Sequence, residues 1–511
     1  MTGKCTECRD APGKKEEANM SFLGRFGSAC LDVATARRSL WNVVSGARTI
    51  RVAVIGGRKS GKTVFLTALA NHLRDHRRNE FPVNGLAVHW NPMAITGARI
   101  HDLPMFDYNG ARGSLAKGLW PKKTTDTTIL AMELLVEDIA RRCRERVRLE
   151  VLDLPGERIA DFAMMGRSYR EWCECREQML AGPNGTSPAY QNYLNAVVRM
   201  GAGDETALKE LYKDFLANEY AHYAPDVTPS TLRLDIDGTS RDGNADEFRA
   251  AIGKAPVGFT DERGNVCEFI PLPMSCFDKA SSFRPLVKKY GDSYDRYARR
   301  VVRPMERWLR GAQKLFYLVD VLTLLQAGAN AWDAEKQNVN AAVGVLCPHA
   351  DNVFARMWRW TKGIFWKTQI NTVCVVATKA DLVATNSDRT RLKGLVDELV
   401  GNTMPFLSQG VKTMTLSCAA VCSTEEVEGE GTGERGLRGM IKDSGEGKPE
   451  LRCWIPSPVP QTTPASAKEW EERFMAGDFN YQFAFPAFGT AEVCPPPHLG
   501  LNVLVGEILT K

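Results

Sequence analysis

A mostly parallel α/β sheet with one antiparallel hairpin, interrupted by a large and mainly helical insertion, is the fold class the sequence predicts. Three observations predict it. Short apolar, β-branched runs recur at 50–55, 127–136, 147–152, 314–319, 372–377 and 411–416. The first run is followed at once by a glycine-rich loop and an apolar helical stripe, the order strand, loop, helix. Roughly 160 residues then separate the third run from the fourth, far more than an ordinary connection, so the interval must hold a folding unit of its own.

The loop after the first strand reads Gly56-Gly57-Arg58-Lys59-Ser60-Gly61-Lys62-Thr63 and fits G-x-x-x-x-G-K-[ST]. Val64, Leu66, Leu69, Ala70 and Leu73 then supply the apolar face of a helix. Glycines let successive backbone N–H groups turn toward a phosphate, and the helix N-terminus adds the positive end of its dipole. Gly56, Arg58, Lys59, Ser60, Gly61, Lys62, Thr63 and Val64 are therefore candidate nucleotide contacts, with Lys62 bridging phosphates and the Thr63 hydroxyl a candidate ligand of Mg2+. This makes the chain a P-loop nucleotide-binding protein of the α/β class. A tight turn before an ordinary helix is the alternative, and the flanking strand and helix argue against it.

Thr127–Val136 and Val147–Leu152 are strands joined through a polar turn around Arg141–Arg146, an arrangement that predicts an antiparallel hairpin. That hairpin is the mark of GTPases with two switches, whereas an all-parallel ATPase needs a helical crossover there. The second strand ends in Asp153-Leu154-Pro155-Gly156, a D-x-x-G element in which Asp153 is a candidate Mg2+ residue and the Gly156 N–H a γ-phosphate donor. Before the hairpin lies Trp120-Pro121-Lys122-Lys123-Thr124-Thr125-Asp126. Thr124 is the candidate switch threonine for Mg2+ and the γ-phosphate, with Thr125 close behind and a surface hydroxyl turn as the alternative.

Thr378-Lys379-Ala380-Asp381 follows the strand at 372–377. The Asp381 carboxylate can accept from both N1–H and the 2-amino group of guanine, a donor pair that adenine lacks. The aliphatic stem of Lys379 would pack on the base. Thr378 stands where asparagine is usual and lacks the amide that buttresses such a loop, so ATP stays open as a ligand. Ser417-Cys418-Ala419, after the strand at 411–416, would offer backbone N–H groups to the base oxygen and completes the ordered series.

Beyond these motifs the chain resembles the YcjX-like family of bacterial P-loop proteins, stress-associated GTPases. The resemblance rests on Trp120-Pro-Lys-Lys-Thr124, Asp153-Leu-Pro-Gly-Glu157, Tyr294-Asp-Arg-Tyr-Ala-Arg-Arg-Val-Val-Arg-Pro304, Leu318-Val-Asp-Val-Leu-Thr-Leu-Leu-Gln-Ala-Gly328 and His498-Leu-Gly-Leu-Asn-Val-Leu504, and it spans about Phe22 to the C-terminus. It implies a GTP-binding α/β domain with a large helical insertion, a cytoplasmic setting and a role in stress responses. It names no effector.

Composition fits this reading. The 511 residues are 44% hydrophobic, enough for a large core divided among several units. Sixty-six basic and 61 acidic residues leave a net charge of only +5, too balanced to argue for nucleic acid. The longest apolar run, Leu315–Leu325, is short and contains Asp320, so no stable membrane insertion is expected, and the N-terminus has no apolar signal core. Fourteen cysteines are scattered; Cys5-x-x-Cys8 and Cys173-x-Cys175 lack a second pair at zinc-site spacing.

The expected organisation is a polar tail and N-terminal helix over 1–46, the first part of the GTPase domain over 47–158, the helical insertion over 159–311, and the second part over 312–511 with a Gly/Glu-rich loop near 424–450. For hydrolysis, Lys62 and Thr124 are joined by Glu157, which stands where many GTPases place a water-orienting glutamine. A structural pair with Arg158 is the alternative role for Glu157. Arg58 would either reach the γ-phosphate or stay in solvent. The functional expectation is a slow Mg2+-dependent GTPase that converts GTP to GDP and switches a protein effector; the alternatives are a nucleotide-binding scaffold with negligible turnover and an ATPase.

Overall fold

The computed structural model describes residues 42–57, 59–75, 83, 85–91, 99–100, 103–122, 124–181, 188–220, 229–230, 245–260, 264–346, 369–401, 411–428, 435–441, 449–486 and 495–510. Its centre is a seven-stranded sheet. In chain order the strands are β1 (Asn42–Gly56), β2 (Leu86–Asn91), β3 (Thr128–Asp138), β4 (Cys143–Asp153), β5 (Lys314–Val319), β6 (Thr372–Ala377) and β7 (Lys412–Ser417). Their spatial order is β7-β6-β5-β1-β4-β3-β2. From β7 to β4 every pairing is parallel. The expected hairpin is present: β3 runs antiparallel to β4 from Thr128 opposite Asp153 to Asp138 opposite Cys143, and β2 runs antiparallel to β3.

Alternation along the central strands explains why both sheet faces are dry. Ala53, Ile55, Leu315, Tyr317, Val319, Val373 and Val375 point into one buried cluster, while Val52, Val54, Phe316, Leu318, Cys374 and Val376 point into the other. A strand buried on both faces reads as a continuous apolar run, which is why these were visible in the sequence. The second face is covered by α1 (Lys62–Asp75), α2 (Tyr108–Ala116) and α13 (Leu501–Leu509), through residues such as Phe65, Leu69, Leu115, Leu504 and Ile508.

The first face carries the remaining bulk. After β4 come a 3-10 segment at Gly156–Met164 and helices α3 (Tyr169–Ala181), α4 (Pro188–Met200), α5 (Glu205–Tyr220), α6 (Ala245–Lys254), α7 (Arg284–Tyr297) and α8 (Arg303–Leu309), with one π-helical turn at Ala298–Val302 between the last two. Within the insertion expected over 159–311, α4 and α5 are separated by a turn at Gly201, whose φ is +74°. Trp172, Tyr190, Tyr294 and Tyr297 from this interval lie in one buried cluster with Ile55, Tyr317 and Val375 of the sheet. Later helices α9 (Val321–Ala327), α10 (Ala329–Leu346) and α11 (Asn386–Val400) join the same cluster, and α12 (Ala467–Met475) lies at its rim through Trp470.

Two expectations change. The tract near 424–450, expected as a charged loop, forms an antiparallel three-stranded sheet of β8 (Thr424–Glu428), β9 (Arg435–Ile441) and β10 (Glu450–Trp454). Its glutamates sit at exposed positions of short strands, where Glu425 pairs with Arg438 across the ladder. At the other end, β1 begins at Asn42, so the last residues of the tail and helix expected over 1–46 are strand. The rest of that expected helix lies outside the described residues.

Candidate nucleotide site

Gly56, Asp153, Asp320, Thr378 and Ser417 stand at or just beyond the carboxyl ends of β1, β4, β5, β6 and β7, so the parallel register alone gathers them on one edge of the sheet. Ligand crevices of open α/β sheets form at that edge. The loop after β1 needs its glycines for different reasons. Gly56 has φ +151° and lies so close to β5 that a Cβ would collide with the Leu318 carbonyl; Gly61 has φ +88° in open space, so only its backbone angle demands glycine. Lys59 takes a left-handed φ of +61°, a strained choice for a side-chain-bearing residue. Helix α1 starts at Lys62 and aims its N-terminus into the loop, with Val64 in its first turn. Arg58 lies outside the described residues.

Lys62 is buried, and its Nζ donates to the carbonyls of Gly56 at 2.9 Å and Gly57 at 2.8 Å, with the buried Ser60 Oγ at 3.4 Å. The ammonium is folded back into the mouth of its own loop. Beside it, three oxygens from three different segments form a chain. Thr124 Oγ1 donates to Asp153 Oδ2 at 2.9 Å, which leaves Thr63 as the donor in the 2.8 Å contact between Thr63 Oγ1 and Thr124 Oγ1. Thr125, the neighbouring candidate, is exposed and has no side-chain hydrogen bond among the described residues.

Asp153 is fully buried, and burial raises its carboxyl pKa against the lowering influence of Lys62 and the Thr124 hydroxyl. Its Oδ1 has no hydrogen-bond partner among the described residues. A buried, unpartnered carboxylate oxygen next to two hydroxyls is the donor set a hard cation takes. Thr63, Thr124 and Asp153 therefore fit Mg2+. Among the described residues no group of three His, Cys, Asp or Glu side chains is placed to hold a metal by itself.

Gly156 opens the 3-10 segment, and Glu157 beside it is 4% exposed. Arg158 does not pair with Glu157. Its Nη1 donates to Ser230 Oγ at 2.8 Å and Tyr297 Oη at 3.3 Å, and lies 3.5 Å from Asp161 Oδ2. Asp161 in turn accepts from the Ser230 amide at 3.0 Å, the Ser230 hydroxyl at 2.5 Å and the Tyr297 hydroxyl at 2.7 Å. This buried network joins the D-x-x-G segment to the end of α7, and nothing in the local sequence announces it.

At the far end, Asp381 is buried, and its Oδ2 accepts the backbone N–H and the hydroxyl of Ser423, both at 2.8 Å. Burial raises its pKa while the Ser423 donors work to lower it. Lys379, in a left-handed conformation at φ +60°, places its Nζ 2.5 Å from Asp320 Oδ2 and 4.4 Å above the Phe483 ring. Thr378 donates its hydroxyl to the Val319 carbonyl at 3.1 Å, so the departure from asparagine keeps a side-chain tether to β5. The series expected at 417–419 is placed differently: Cys418 N–H donates to Ala377 O and Ala419 N–H to Leu499 O, while Ser417 makes no side-chain hydrogen bond among the described residues. The serine on Asp381 is Ser423, missed because it comes later in the chain, although Cys422-Ser423-Thr424 at a strand start was a readable turn signal.

Comparison with known proteins gives a consistent result. The family model described as YcjX-like family, DUF463, matches residues 50–233 and 261–510. The chain is 24% identical to the Ras-like GTPase YcjX of Shewanella oneidensis over 74% of its own length and 78% of that protein's. It is 24% identical to the Ras-like GTPase YcjX of Escherichia coli over 34% of its own length and 40% of that protein's.

Proposed function

The chain belongs to the YcjX-like family, and from that premise we propose that it binds GTP with Mg2+, hydrolyses it slowly to GDP and changes conformation with nucleotide state. The observation that carries the reading is the chain Thr63–Thr124–Asp153: a P-loop hydroxyl, a hydroxyl from the loop before β3 and a buried carboxylate at the end of β4 meet beside Lys62. The relatives' name, Ras-like GTPase, supports the choice of nucleotide.

In this reading Thr63, Thr124 and Asp153 would hold Mg2+, which would supply Lewis-acid stabilisation of charge on the phosphate oxygens of GTP. The N–H groups of the loop from Gly56 to Thr63 cradle the phosphates, and Lys62 exchanges its hold on the Gly56 and Gly57 carbonyls for phosphate oxygens. Gly156 N–H binds the γ-phosphate, and Glu157 orients the attacking water. Asp381, braced by Ser423, accepts the guanine N1–H and 2-amino donors, with the Lys379 stem on the base and the backbone around Ser417, Cys418 and Ala419 near its oxygen. Residues 159–311 are the moving part, coupled to the γ-phosphate through Gly156 and the Arg158–Asp161–Ser230–Tyr297 network. A protein effector would read that movement.

The test is phosphate release from GTP at several Mg2+ concentrations, with ATP as competitor. Mg2+-dependent release that Lys62→Ala abolishes supports the proposal. Binding without release returns the chain to the scaffold reading, and preference for ATP refutes the role given to Asp381. Asp381→Asn should move preference toward xanthine nucleotides.

A further inference from the structure

We propose that a second, separate anion site lies where the 3-10 segment ends against the junction of α7 and α8, and that it takes a phosphate-bearing ligand. The site is a concave cavity of about 460 Å3 whose charged lining is Arg167, Arg303, Arg307 and Arg310 against Asp295 and Glu306, an excess of two positive charges. That volume suits a phosphorylated small molecule or the headgroup of an anionic lipid.

Three features make this more than a solvated face. First, the Glu306 carboxylate is already engaged: it accepts from Arg310 at 2.6 Å and from the Gly166 N–H at 3.3 Å, which leaves Asp295 as the one lining carboxylate without a side-chain partner among the described residues. By contrast, the Arg303 guanidinium has no hydrogen bond or ion pair with any described residue. Second, like charges gathered around one concavity repel and are held there at a cost, which a bound anion removes. Burial already pushes the pKa of Arg167 down, in a floor where its guanidinium donates to the Ala163 carbonyl. Third, the π-helical turn at Ala298–Val302 inserts extra backbone between α7 and α8, and Ala298 and Val302 form part of the cavity wall. Such turns are rare and recur at functional sites.

The local sequence points the same way. Arg303, Arg307 and Arg310 of the lining are all exposed, and Arg296, Arg299 and Arg300 precede them in a stretch from Asp295 to Arg310 with six arginines against two acidic residues, Asp295 and Glu306. Guanidinium forks converging on a pocket match the oxygens of a phosphate better than a single carboxylate. The inference does not rest on the nucleotide reading, because Lys62 and Asp381 take no part in it. The cavity wall from Met164 to Ser168 nevertheless continues directly from the 3-10 segment, so an anion bound here would bear on the segment that begins at Gly156.

The experiment is calorimetric titration of inorganic pyrophosphate into the full chain carrying Lys62→Ala, and in parallel into the unsubstituted chain saturated with Mg2+ and GDP, so that the P-loop does not compete in either arm. One pyrophosphate should bind, weakening as salt is raised. Adding Arg303→Glu and Arg307→Glu should weaken it by ~10-fold or more, since two charge-assisted contacts reverse sign. Both positions are exposed, so the unfolding midpoint of that variant should not move, and Arg303→Lys with Arg307→Lys should keep part of the affinity. Flotation with phosphatidic acid vesicles, against phosphatidylcholine vesicles alone, assigns the source of the phosphate: capture lost on the glutamate exchange marks a headgroup, and pyrophosphate uptake without capture marks a free phosphate compound. No pyrophosphate uptake in either arm, or uptake indifferent to the glutamate exchange, overturns the proposal.

Discussion

Replacing Ser423 by alanine tests the base-recognition end of the site. In the structure the Ser423 hydroxyl and amide both donate at 2.8 Å to one oxygen of the buried Asp381 carboxylate. Alanine removes the hydroxyl and keeps the amide. A hydrogen bond to a charged group contributes about 1.5–3 kcal/mol, and the lower end applies because one donor remains. Chemical unfolding of the nucleotide-free chain should therefore show a loss of about 1.5 kcal/mol. The same loosening of Asp381 should lower the GDP affinity by up to ~10-fold while leaving ADP affinity almost unchanged. Ser417→Ala is the control, since Ser417 lies in the expected sequence position but makes no side-chain hydrogen bond among the described residues; its effect on both readouts should be small. Equal losses from the two alanine variants, or an unchanged GDP-to-ADP ratio in Ser423→Ala, would refute the assignment of Ser423 as the brace.

Asp381 also sets a pH dependence: its folded pKa is raised by burial, so the carboxylate that guanine needs is lost as pH falls through a value above the usual 3.8. GDP affinity should fall in that acid range, the fall should begin at higher pH in Ser423→Ala, and Asp381→Asn should abolish it. By linkage the same raised pKa means the ionised group opposes folding, so its contribution to stability is greatest below the unfolded pKa and is lost as pH rises through the folded one. Tyr297→Phe removes a donor 2.7 Å from the buried Asp161 and should lower stability by about 1.5–3 kcal/mol, with the loss largely absent in an Asp161→Asn background by double-mutant cycle. Gly56→Ala forces a methyl against the Leu318 carbonyl at a φ of +151°; nucleotide binding should be lost, whereas Gly57→Ala, which meets Glu335 Oε2 at 2.9 Å, should bind with reduced affinity.

What the sequence revealed and what it hid divide along physical lines. Six of the seven strands and the loop from Gly56 to Thr63 were readable because their determinants are consecutive, apolar runs for the strands and glycines at fixed offsets for the turn, whereas the edge strand β2 was missed. Thr124 was distinguishable from Thr125 only in three dimensions, by which hydroxyl reaches Asp153. The partner of Asp381 lies 42 positions away and that of Arg158 in α7 lies 139 away, separations at which no local period carries information. β8 to β10 were hidden for a different reason. Glutamate disfavours strands intrinsically, and only cross-strand pairs such as Glu425–Arg438 overrule that preference.

The same geometry separates the two ends of the candidate site by rigidity. On the base side, Thr378 is tied to Val319 by its amide at 2.8 Å and its hydroxyl at 3.1 Å. Lys379 is tied to Asp320, whose carboxylate also caps α9 through the Thr323 amide, and the Thr424 hydroxyl donates to the Asp381 carbonyl. These tethers end at β5, the cap of α9 or β8, elements already packed into the fold. On the phosphate side, Lys62 and Thr63 bond instead to groups of the loops themselves: the Gly56 and Gly57 carbonyls and Thr124. Those bonds are the ones a phosphate or a cation replaces oxygen for oxygen. Nucleotide arrival should then rearrange the phosphate side against a base side that is already set. Hydrogen exchange should show protection gained at Gly57–Thr63 and Thr124 on adding Mg2+ and a GTP analogue, with Thr378–Asp381 nearly unchanged; the opposite distribution would show that the base loop, not the phosphate loop, is the part that orders on binding.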